Sequence, residues 1–205
     1  MKKLLLFCFV FIIGCSSKPK NDEKTQATEG ASAKMEDVHG GGMSSMENAQ
    51  GGEVTFKAPD GWLAEAPNNP MRKAQYRLPG PAGDGEMAVF FFPGAGGSVN
   101  ANLDRWYGQF KQPDGTQTKD KVVSQNKEVN GLKVTVVYVT GTYLKSRDAS
   151  MMGGPVDEMA NYAMRAAIVE TTNGPWFYKA VGPQKTIDSW SNGFDELVNS
   201  FTMAK

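Results

Sequence analysis

The chain has 205 residues, and its 22 basic residues equal its 22 acidic ones. No basic excess exists to hold a phosphate backbone, so nucleic acid is excluded as a charge-driven partner. His39 is the single histidine and Cys8 and Cys15 are the two cysteines. Everything after residue 50 therefore lacks the side chains of a Ser-His-Asp or Cys-His nucleophile and of an ordinary zinc site.

Met1-Lys2-Lys3 is a short positive segment, and Leu4 to Ile13 is a ten-residue apolar run. A spanning helix needs about 20 such residues, so this run reads as the apolar region of a secretory signal over residues 1–14. It ends in Ile12-Ile13-Gly14-Cys15, which resembles the lipobox of bacterial lipoproteins. The resemblance implies cleavage before Cys15, a diacylglyceryl group on its thiol and an acyl chain, palmitate among the usual ones, on the new amine. Two or more chains hold a protein stably in a lipid bilayer, the first partner expected. Ser16 rather than Asp follows the cysteine. By the same analogy this directs the protein to the outer membrane, facing the periplasm, if the host is Gram-negative. The alternative is an ordinary secretory signal with a chance cysteine. With Cys8 removed and Cys15 lipidated, the mature domain has no thiol in a compartment that permits disulfides.

Residues 15–50 form the lipidated cysteine and a tether. Ser16 to Gln50 is rich in small, polar and charged residues and has no Phe, Tyr or Trp, the composition of a disordered segment. Such a coil would span on the order of 30–35 Å. Met35, His39, Met43 and Met46 stand close together around Gly40-Gly41-Gly42. Thioether and imidazole ligands suit copper, Cu(I) especially, so the tract is a candidate metal site. A chance cluster in a methionine-rich chain explains it equally simply. No other cofactor is expected.

About 155 residues remain, enough for one domain over 51–205. Strand signals begin at Val54-Thr55-Phe56, followed by a turn through Pro59-Asp60-Gly61 to Trp62. Lys73–Leu78 and Met87–Phe92 read as strands joined by turn-forming residues from Pro79 to Gly85. Met87 to Phe92 is continuously apolar, which predicts cover on both faces. Ser98 is the expected N-cap of a helix whose stripe is Val99, Leu103, Trp106 and Phe110. Lys121–Val129 and Leu132–Thr142 flank Asn130-Gly131, the signature of a type I′ hairpin, in which Glu128 faces Lys133. Val134, Val136 and Tyr138 share one face of the second strand, and Thr135, Val137 and Val139 the other. Lys145 to Ala160 reads as a long irregular loop. Tyr162–Thr171 and Trp176–Val181 form a further hairpin around Asn173-Gly174. Pro183 starts a last helix carrying Ile187, Trp190, Phe194, Leu197, Val198 and Phe201; Gly193 within it marks a kink or a close packing contact. Hairpins dominate, so the expected class is α+β: a mainly antiparallel sheet covered by two helices, an α/β/α sandwich.

The stretches Phe56-x-x-Pro59-x-Gly61-Trp62, Met71-Arg72-x-Ala74-x-Tyr76, Gly96-Gly97-Ser98-Val99-x-Ala101-Asn102-Leu103-x-Arg105-Trp106 and Gln109-Phe110 resemble a family of uncharacterised bacterial envelope proteins. The layout over roughly residues 53–203 resembles the Mog1/PsbP-like fold. That resemblance implies a non-catalytic domain that binds partner proteins, and it transfers no catalytic residue.

Gly94-x-Gly96-Gly97-Ser98 before a helix is the nearest approach to an anion cradle, or simply a tight strand-to-helix connection. Asp84 with Glu86 and Asp157 with Glu158 are the carboxylate pairs available for acid–base chemistry. Loops on a rigid scaffold carry function, so the Gly94–Trp106 segment, with Ser98, Asn102 and Arg105, and the Lys145–Ala160 loop are the candidate binding surface; Asn102 and Arg105 face away from the apolar stripe, where a plain solvated helix face is the alternative. Trp62, Trp106, Trp176 and Trp190 are expected in the core. The leading expectation is a membrane-anchored envelope lipoprotein with a non-catalytic interaction domain, possible partners being other envelope proteins. The rivals are a copper-binding lipoprotein and a carboxylate-dependent hydrolase.

Overall fold

The computed structural model describes residues 54–94, 96–147 and 154–204. The signal segment, Cys15, the tether with its Met/His tract, and Met151-Met152 lie outside the described residues. In chain order the elements are β1 (Val54–Thr55), β2 (Leu63–Glu65), β3 (Arg72–Leu78), β4 (Gly85–Phe91), α1 (Val99–Tyr107), β5 (Phe110–Lys111), a 3-10 turn (Thr118–Lys121), β6 (Val123–Val129), β7 (Leu132–Ser146), β8 (Val156–Glu170), β9 (Trp176–Pro183), α2 (Gln184–Ser189), α3 (Ser191–Asn199) and β10 (Thr202–Met203). None of the described helices is long and apolar enough to cross a membrane.

Eight strands form one sheet in the order β2-β3-β4-β9-β8-β7-β5, with β6 also paired to β7. All of their strand pairings are antiparallel. β1 and β10 pair separately, bringing the two ends of the described domain together. Alternation along the strands builds two apolar layers. On one face Met87, Val89, Val134, Val136, Trp176, Tyr178 and Ala180 pack with Ile187, Phe194, Leu197 and Val198 of α2 and α3. On the other face Val137, Val139, Met164, Ala166, Ile168 and Phe177 pack with Leu103 and Trp106 of α1. The doubly apolar β4 and β7 are therefore covered on both sides, and the class is the expected α+β sandwich.

The β6–β7 hairpin follows the sequence closely. Asn130 and Gly131 take φ values of 51° and 81°, the double positive φ that a type I′ turn demands. Glu128 pairs with Lys133 as expected. Asn130 Nδ2 also donates to the Phe201 carbonyl at 2.8 Å, tying the turn to the chain beyond α3.

Three expectations are corrected. Lys145 to Ala160 is not one irregular loop: β7 runs on to Ser146 and β8 starts at Val156. Opposed charges support this exposed ribbon, with Arg147 Nε 2.7 Å from Asp157 and Lys145 opposite Asp157 in register. A bulge in β8, where Asn161 takes φ 56°, lets the long strands change register; Asn tolerates that left-handed conformation. The last helix is two helices, broken at Trp190, whose φ of −96° and ψ of 11° leave the helical range. Trp190 Nε1 donates to the Pro79 carbonyl at 2.7 Å, which holds the break in place. Gly193 is a close-packing position, since a Cβ there would lie 3.2 Å from Trp190 and 3.3 Å from Pro59. Finally, Phe110 belongs to β5 rather than to α1, because the helix closes at Gly108. It still joins the same apolar layer.

Candidate functional site

Ser98 caps α1, its hydroxyl accepting from the Ala101 N–H at 3.2 Å. Asn102, expected to face away from the apolar stripe, is instead buried at 3 % exposure. The cause is local: its Nδ2 donates to the Gly96 carbonyl at 2.6 Å and the Ser98 carbonyl at 3.0 Å, closing the loop onto the first turn. Gly94 N–H meets the Asn173 carbonyl at 2.8 Å. The glycine-rich segment thus serves as a tight strand-to-helix connection whose carbonyls point at Asn102. With both amide hydrogens engaged, Asn102 Oδ1 is left to accept from Arg105 Nη2 at 2.7 Å. Asn102 and Arg105 therefore act together, the first inside the fold and the second exposed.

Beneath α1 stands a residue that the sequence reading passed over. Lys179 lies on β9 between Phe177 and Val181, which both pack into the α1-side layer. Its cross-strand neighbours are Ala88 and Ala166, two small side chains that leave room for its stem. Its ammonium donates to Gln109 Oε1. It lies 5.9 Å from the Trp106 ring centre and 5.7 Å from that of Tyr143, within cation–π range. Burial pushes the Lys179 ammonium down to about 7; the Arg105 guanidinium adds to the depression, the Glu86 carboxylate opposes it and Arg72 adds to it again. The residue keeps partial solvent access. Tyr143 stacks on Tyr162 at 6.1 Å, and burial, followed by the Glu86 charge, raises its phenol. A lysine amid the aromatic and apolar run Trp176 to Val181 was the signal available in the sequence.

The charges beside it are paired across the strands. Arg72 Nη1 lies 2.9 Å from Glu86 Oε2 and donates to Gln75 Oε1 at 2.9 Å. Buried Gln75 in turn donates to Glu65 at 3.2 Å. Arg77 bridges Glu65 at 3.1 Å and Asp84 at 2.9 Å. Farther off, Lys111 meets Glu158 at 2.5 Å. All four carboxylates offered for acid–base work thus have a cationic partner, and the two pairs belong to different strand junctions. Trp62, Trp106 and Trp176 are core residues, and Trp190 packs against the core with partial exposure. Among the described residues no group of three or more His, Cys, Asp or Glu is placed to hold a metal ion.

No protein-family model and no curated protein matches this sequence. Solved structures do resemble the fold. One is a protein of unknown function and putative regulator from Pseudomonas aeruginosa, at 11 % identity and a TM-score of 0.43, covering 75 % of this chain and 99 % of its own. Another is cyanobacterial PsbP (CyanoP) from Synechocystis sp. PCC 6803, at 10 % identity and a TM-score of 0.41, covering 79 % of this chain and 99 % of its own.

Proposed function

We propose that this protein is a lipid-anchored component of the bacterial cell envelope whose folded domain is a non-catalytic binding module, with the α1 face of the sheet as its binding surface. The observation that carries the binding assignment is the arrangement of charge on that face. Asp84 and Glu86 are held by Arg77 and Arg72, whereas among the described residues no carboxylate lies at ion-pair distance from Arg105 or Lys179. Engaged carboxylates favour recognition over acid–base catalysis, which needs acids free to exchange protons with a substrate. The anchor rests on the apolar run ending at Gly14-Cys15, and acylation there would hold the domain at a membrane surface. In cell fractionation, the natural chain should stay with the membranes and C15S should move to the soluble fraction. A C15S chain that remains membrane-bound, or a purified protein with a turnover abolished by D84N or E86Q, contradicts this reading.

A further inference from the structure

We infer that the α2–α3 layer holds a binding site of its own, separate from the α1 face, for a small apolar carboxylate between Trp62 and Arg165. Four buried donors have no hydrogen-bond partner among the described residues: Trp62 Nε1, Arg165 Nε, Trp176 Nε1 and Tyr178 Oη. Two of these residues, Trp62 and Arg165, line one and the same space of about 160 Å³. A buried N–H left unpaired keeps its desolvation cost, so two such groups on one space point to an acceptor that completes them. Trp62 is 7 % exposed, too deep for bulk water to serve its indole.

The chemistry of the walls sets the ligand. Leu78, Ala180, Ile187 and Phe194 line the space and bring no polar side-chain atom, so the body of the ligand is apolar. Indole and guanidinium N–H groups donate and do not accept, so its polar end is an acceptor. The guanidinium charge selects an anion, and a carboxylate offers two oxygens, one for each donor. Arg165 is held in place by the fold. By alternation it stands in the β8 row of Ala163, Ala167 and Val169, all buried in this layer. Its cross-strand neighbours are Tyr138 and Ala180. The guanidinium carbon lies 4.9 Å from the centre of the Tyr138 ring, and the Tyr138 hydroxyl is itself fixed by donating to Asp188 Oδ1 at 2.6 Å. The small Ala180 leaves the other side open. Trp62 packs edge-on to Trp190, with ring centres 6.3 Å apart. Arg165 and Trp190 are the walls that reach solvent, so the ligand enters on their side. The space is narrow, so entry makes Trp190 yield at the break between α2 and α3. A space of this order takes one benzene-sized ring.

The test is isothermal titration calorimetry of the full chain in non-ionic detergent, with benzoate and acetate as separate probes and detergent alone as the blank. Benzoate should bind at least about tenfold more tightly than acetate, because only benzoate has a body for the apolar walls. W62F keeps an aromatic ring and removes the N–H; it should weaken benzoate about tenfold, the size of one lost charge-assisted hydrogen bond. R165M should weaken it at least as much. No benzoate heat at millimolar concentration, equal affinity for the two anions, or W62F binding benzoate as tightly as the natural chain overturns the inference. Arg165 reaches solvent, so if W62F fails to fold, R165M decides by the same criterion. The site lies on the layer opposite α1, so failure here is distinct from failure of the α1 surface or of the anchor.

Discussion

Lys179 illustrates how a single side chain couples packing to charge. Its ammonium is pushed down to about 7 chiefly by burial, whereas an unfolded lysine keeps its proton up to about 10.4. Between those values the unfolded chain binds more protons than the native one, so raising the pH favours folding. The destabilisation is fully present below about 7 and is relieved as pH climbs. Urea unfolding of the natural chain should therefore show stability rising from pH 7 to 9 relative to K179M; parallel pH profiles for the two would contradict the burial of the charge. Asn102 makes a second point at this scale. N102A removes a buried amide that satisfies two carbonyls and holds Arg105, and should cost about 1–3 kcal/mol by denaturant titration; a loss under 0.5 kcal/mol would contradict its bridging role. Of these two residues the sequence singles out only Asn102, with Arg105 as candidate binding surface, and it places Asn102 on the wrong side. Helical spacing says which face a residue occupies, yet an asparagine one turn into a helix can fold back onto its own N-terminal loop, and spacing does not register that. Lys179 escaped because alternation identifies a strand without saying which distant helix lies over it.

Among the elements, those governed by local chemistry were the legible ones. The Asn130-Gly131 hairpin, the Ser98 cap and the apolar stripes of α1 and α3 depend on residues within a few positions of each other. The break at Trp190 depends on the Pro79 carbonyl, over a hundred residues away, and no local pattern carries it. The same loop is pinned a second time: Thr186 Oγ1 donates to the Gly83 carbonyl at 2.6 Å. A Cβ on Gly80 would come within 2.3 Å of the Thr186 methyl, so the loop lies directly on α2. G80A should destabilise the fold by about 1–3 kcal/mol through that overlap, measured as a lower midpoint in thermal unfolding; an unchanged midpoint would mean that α2 and the loop are not in contact. On α3, F194A deletes a side chain that is 1 % exposed and should cost about 3–5 kcal/mol. A loss below 1 kcal/mol would contradict its place in the core. The exposed β7–β8 ribbon was misread for a related reason. Its pairing comes from backbone bonds and opposed charges, and Asp157 and Glu158 are poor strand formers by propensity alone.

At the scale of the whole molecule, one sheet separates two apolar layers, and the layers differ in what reaches solvent beside them. The α2–α3 side is closed by aromatic packing, with Trp62 in contact with both Tyr76 and Trp190. The α1 side carries Lys179 and Arg105 beside a lattice of paired charges. The two faces were visible in the sequence as doubly apolar strands. The electrostatic difference between them was not, because it arises where β3, β4, β9 and α1 converge. The proposed role of the domain as an anchored binding module depends on lipid attachment at Cys15. Intact-mass spectrometry of the protein from its native membrane tests that most directly. The account predicts a chain that begins at Cys15 and carries thioether-linked diacylglyceryl with an acylated amine. A mature chain that retains Met1, or that carries an unmodified Cys15, would contradict it.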